Sequence, residues 1–108
     1  MSGEFAGTLK ERVRIERPVA LRTPAGLQDD GWEPVARCLA AIVAEGVGAE
    51  AEGQALSALP RFRVTIRARE GIVVGQRVAW GERTMLVRQR IDDPRFSDRI
   101  LLRCEEMR

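Results

Sequence analysis

The feature that most restricts the fold is a strict two-residue alternation near the middle of the chain. From Arg61 to Arg69, Phe62, Val64, Ile66 and Ala68 alternate with Arg61, Arg63, Thr65, Arg67 and Arg69. Successive side chains of a strand point to opposite faces, so a strand buries the first row and displays four guanidiniums on the other. A helix of the same sequence would wrap both sets around its circumference. The period recurs in Leu9–Val19, where Val13 and Ile15 lie between Arg12, Arg14 and Glu16, and that strand is predicted to end near Pro18. After Trp32, Pro34–Val43 carries Val35, Leu39, Ala41 and Val43 on one face and Ala36, Cys38, Ala40 and Ile42 on the other. Val78 and Trp80 mark a short strand, and Gly81-Glu82-Arg83 makes a tight connection to Thr84–Ile91. Arg99–Glu105 closes the set.

Six short strands without an obligatory long helix predict an all-β fold, a small six-stranded barrel or sandwich with long loops. The predicted core is Val13, Ile15, Phe62, Val64, Ile66, Val78, Trp80, Val87, Ile100 and Leu102. Trp32 is also assigned to the interior, whereas Phe5 and Phe96 read as uncommitted. Both faces of Pro34–Val43 are apolar, yet only one can point into a small barrel. The other is expected to be covered by a loop or a neighbouring subunit. Pro24, Gly26, Asp29, Asp30 and Gly31 make Arg22–Gly31 a long hairpin loop. Residues 44–60 read as a long central loop whose Ala-rich middle leaves room for one short helix. Residues 1–8 are expected to form a flexible N-terminal arm on a single barrel domain spanning 1–108.

Composition narrows the chemistry. The 108 residues are one domain's worth, and 18 basic against 16 acidic residues leave a net charge of only +2. Histidine and tyrosine are absent, which removes the usual proton-transfer side chain and the commonest zinc ligand. Cys38 and Cys104 form no CxxC pair, have no histidine as base and sit among aliphatic residues, so buried reduced thiols are expected. The acidic pairs Asp29-Asp30, Asp92-Asp93 and Glu105-Glu106 have no calcium-loop spacing, and Gly46–Gly53 lacks the Lys-Ser/Thr of a phosphate loop. The sequence therefore predicts no catalytic residue, no metal and no cofactor. It shows no membrane-length apolar run and no leader pattern, so a protein made in the cytoplasm is expected, without membrane contact.

Charge placement points further. Arg61, Arg63, Arg67 and Arg69 repel one another unless anions answer them. Those anions are carboxylates of the same barrel, an acidic surface of another subunit, or nucleic-acid phosphates. Aromatic residues for stacking bases are scarce, which disfavours sequence-specific single-strand binding. By contrast, no basic residue stands between Arg37 and Arg61, and the central loop carries Glu45, Glu50 and Glu52. Such a loop is either merely solvated or suited to a conduit through which DNA slides without sticking.

The ordered motifs Leu9…Arg12-Val13…Ile15…Arg17-Pro18, Gly31-Trp32…Val35-Ala36…Ala40…Ile42, Phe62…Val64…Ile66-Arg67, Ile72…Gly75-Gln76-Arg77-Val78…Gly81…Leu86-Val87 and Leu101-Leu102-Arg103-Cys104-Glu105 resemble the phage head–tail joining family. Its members are also called head-closure or stopper proteins, and the likeness spans residues 9 to 105. Family members often have Asp where Gln76 stands and Trp where Leu39 stands. The resemblance implies a non-enzymatic virion protein at the head–tail junction of a tailed phage or gene-transfer particle. It also implies a homo-oligomeric ring between portal or adaptor proteins and a tail-terminator protein, with double-stranded DNA passing through. Glu45, Glu50 and Glu52 are then channel-loop candidates, and Leu39, Arg61, Arg63, Arg67, Arg69 and Phe96 subunit-interface candidates. The alternatives are a tail-terminator or minor tail ring protein and a small-barrel nucleic-acid-binding module.

Overall fold

The computed structural model describes residues 5, 7–23, 26–47 and 59–107, with residues 20–23, 26–30 and 47 described by backbone alone. Six strands form the fold: β1 Glu11–Thr23, β2 Gly26–Val47, β3 Pro60–Arg67, β4 Arg77–Trp80, β5 Arg83–Ile91 and β6 Arg99–Glu106. They close into an antiparallel barrel in the order β1-β2-β3-β6-β5-β4. The interior holds the inward rows of every strand, with Ile15, Val64, Ile66, Val78, Val87, Ile100 and Leu102 essentially inaccessible. Ile72 and Met85 join them, while Trp80 is half-buried with its ring edge-on to Phe62 at 6.0 Å.

The barrel departs from simple alternation at four bulges, each an extra residue that re-aims the strand; in β5 it is Arg88, between Val87 opposite Cys104 and Gln89 opposite Arg103. Ile15 faces Ala36 but Glu16 faces Pro34, so Val35 is the extra residue and packs against the core, whereas Leu39 and Val43 of the same row are exposed. Val19 faces Gly31 and Leu21 faces Gln28, which leaves Asp29-Asp30 opposite Ala20. Ala44 faces Phe62 and Gly46 faces Arg61, with Gly46 at φ 92°, a conformation glycine adopts without strain.

The strand pairing corrects three boundaries. Arg22–Gly31 is not an open loop: β1 and β2 stay paired out to Thr23 and Gly26 and form a long hairpin arm. Pro18 does not end β1 because β4 pairs only with Arg14–Glu16, so β1 has a single neighbour at Pro18, a setting that tolerates a missing N–H. Residues 44–47 likewise belong to β2 rather than to the central loop. The helix considered for the middle of that loop lies outside the described residues.

The β3–β4 connection is held from within. Gln76 is 5 % exposed, its Nε2 donates to the Gly71 carbonyl at 2.8 Å, and its Oε1 accepts from the Val73 N–H at 3.1 Å. Phe5 is not free: it is buried, and the Arg99 guanidinium lies 3.9 Å from its ring centre. Trp32 lies half-buried under Arg77 at 4.3 Å rather than in the core.

Candidate functional site

The outer face of β3 carries the arginine row, and its neighbours divide it in two. Arg61 is paired across to Glu105 on β6 at 3.7 Å. Arg63 stands directly opposite Arg103, and Glu45 reaches both guanidiniums, at 3.4 and 4.0 Å. Intramolecular carboxylates thus answer the first half of the row. Arg67 faces Arg99, whose guanidinium is bonded to Asp98 and lies over Phe96 at 4.6 Å. Among the described residues, neither Arg67 nor Arg69 has a carboxylate within ion-pair distance.

Glu45 is therefore not an unanswered loop carboxylate. It sits on β2 beside the Gly46 bulge and holds two arginines apart on the barrel wall. Glu50 and Glu52 lie outside the described residues. Of the apolar candidates, Leu39 is 46 % exposed and lies on the outer face of β2 with Val43, which is 51 % exposed. Phe96 is 43 % exposed on the β5–β6 connection, with Arg95 and Arg99 over its ring.

The titrating groups are arranged for structure. Cys104 faces Phe62 on one side and Val87 on the other, and burial, with a smaller contribution from the Glu45 charge, pushes its thiol up to about 12. Burial also raises Cys38, partly offset by the Arg69 charge. Both thiols are free. A raised thiol stays protonated and is a poor nucleophile. Asp92 and Asp93 each have their own arginine: side-chain hydrogen bonds from Arg90 lower Asp92, and side-chain and backbone hydrogen bonds from Arg95 bring Asp93 to about 2. Asp98 is lowered by its hydrogen bond from Arg99. Among the described residues, no cluster of three or more Cys, Asp or Glu could hold a metal ion, and no helix is long and apolar enough to cross a membrane.

The arrangement offers shape and charge, with a sealed interior and partner-ready outer faces. Its likeness to known proteins agrees. The solution structure of a protein from Shigella flexneri 2a superposes with a TM-score of 0.66 at 21 % identity, covering 93 % of this chain and 94 % of that one. A chain from the virion of a native gene transfer agent particle superposes equally well, with a TM-score of 0.66 at 21 % identity over 92 % of this chain and 96 % of that one. A comparison with curated proteins finds no match. The family described as phage head completion protein matches residues 6–107. With nearly its whole length matched, this chain belongs to the phage head completion protein family and is a structural, non-catalytic, virion-associated protein.

Proposed function

We propose that the chain is a head–tail connector subunit that assembles as a homo-oligomeric ring at the head–tail junction. Portal or adaptor proteins would lie on its head side and a tail-terminator protein on its tail side. The observation that carries this reading is the family match across residues 6–107 on a barrel that leaves Leu39 and Val43 uncovered on β2. An isolated barrel gains nothing from an exposed apolar row, whereas a ring buries it. Residues 48–58, with Glu50 and Glu52, are the channel segment in this proposal: negative charge facing a passing duplex keeps it from adhering. Glu45 is withdrawn from that role because Arg63 and Arg103 hold it.

The placement is tested by antibody labelling of purified particles under negative stain. Label at the head–tail junction is expected, and label elsewhere overturns the proposal. Deleting Gly48–Gly53 is expected to leave the barrel folded while filled heads leak DNA or fail to attach tails. Unchanged particle yield and infectivity would remove the channel role.

A further inference from the structure

A cluster of arginines without carboxylates of its own surrounds Leu39 on the outer face of β1, β2 and β3. Arg12 is the cross-strand partner of Leu39, and Arg14 of Arg37. The β2–β3 register ends at Ala40 and Ile66, which sets Arg67 beside Leu39 one step past the last pair. Arg69 follows Arg67 by two residues, the β3–β6 pairing continuing past Arg67 through the Ala68 N–H, which donates to the Asp98 carbonyl at 2.9 Å. All five arginines are exposed, and none has an ion-pair partner among the described residues. A groove of about 550 Å³ opens along Arg12, Arg14, Arg37 and Leu39.

Like charges directly opposite one another across a ladder destabilise it, so Arg14 and Arg37 call for an outside anion. An apolar centre with an arginine rim is the composition of a protein interface. A phosphate backbone would leave Leu39 unused. Most of the described carboxylates are already held by arginines of the same barrel, so the counter-charge must come from elsewhere.

The hairpin arm carries acidic residues of its own. Asp29 and Asp30, two adjacent acidic residues, occupy the bulge opposite Ala20. Along β2, Asp30 stands nine residues from Leu39, about 30 Å at strand rise, too far to serve its own patch. The two shorter dimensions of the molecule are 35 and 26 Å, so copies set side by side are displaced by a similar distance. An arm lying in the plane of a ring therefore has a reach comparable to the spacing between copies.

We propose that the arginine patch around Leu39 receives the Asp29–Asp30 bulge of a neighbouring copy. This head-to-tail contact rests on the ring reading, and repeated contacts of this kind close a ring. It is tested in assembled particles with a chain carrying both Asp30→Cys and Leu39→Cys. Oxidation is expected to give a ladder of disulfide-linked copies that neither single variant gives. Arg14→Glu with Arg37→Glu is expected to reduce incorporation into particles by about tenfold or more, and adding Asp29→Arg with Asp30→Arg to restore it. Circular dichroism of the purified variants checks that the barrel persists, and Arg14→Ala with Arg37→Ala serves if the reversal does not fold. Normal incorporation without a ladder overturns the docking and leaves the ring reading standing; labelling away from the junction removes both. Tight binding of a short DNA duplex by the purified chain, lost in Arg14→Glu with Arg37→Glu, would reassign the patch to phosphate and overturn the proposal.

Discussion

Raising the pH should unfold this barrel through its two thiols, Cys104 above all. The chain has no tyrosine, no histidine and a single lysine, Lys10, so few side chains titrate between pH 9 and 12. Cys104 is 2 % exposed, and its thiol stands at about 12 in the folded barrel against 9.0 when free, first because of burial and then because of Glu45. The folded state thus holds this proton more tightly than the unfolded chain. Stability is intact below pH 9 and falls as the pH rises toward 12. At pH 11 ionisation favours the unfolded chain by about 3 kcal/mol, and at pH 12, where the folded thiol is itself half ionised, by somewhat under about 4 kcal/mol. Either is a large share of the stability of a small domain. Urea unfolding followed by the fluorescence of Trp32 and Trp80 at pH 7, 9, 10 and 11 measures the decline. Cys104→Ala should cost about 1 kcal/mol at pH 7 through lost packing, yet remove most of the alkaline fall. Parallel pH profiles for the wild type and Cys104→Ala would refute the reasoning.

The acid side is governed by Asp93, held at about 2 by hydrogen bonds from Arg95. The β5–β6 connection should keep its amide protection above about pH 4 and lose it as the pH falls through 2, read by hydrogen exchange, without loss of the barrel. Gln76→Ala leaves the Gly71 carbonyl and the Val73 N–H without their bonds and should cost about 1–3 kcal/mol in thermal or urea unfolding. Glu45→Gln sets Arg63 against Arg103 without an anion. Its destabilisation should stay below about 1 kcal/mol, because both guanidiniums are half exposed, and should fall with added salt.

What the sequence made legible follows from how locally each feature is encoded. Alternation is a property of neighbours, so Phe62, Val64 and Ile66 declared their strand and their buried face without any knowledge of partners. Val35, Asp29-Asp30 and Glu45-Gly46 could not be read this way. A bulge exists only relative to the strand opposite, and glycine or aspartate in it looks like a loop signal until the register is known. Ile72 escaped the core prediction because it sits in the β3–β4 connection, where no period marks it and Gln76 sets the backbone. Phe5 escaped because its burial depends on Arg99, distant in the chain.

The same distinction separates the charges. Whether an arginine row is a binding surface depends on strand order, and only the β3–β6 pairing brings Glu105 to Arg61. Only the β2–β3 pairing brings Glu45 between Arg63 and Arg103. Those pairings consume one end of the row and leave Arg67 and Arg69 to join Arg12, Arg14 and Arg37, which the sequence had not singled out. The contact surface proposed above is therefore not the strand that advertised it. It is a patch across three strands, defined by arginines that no described carboxylate pairs with and centred on a leucine left exposed on the outer face.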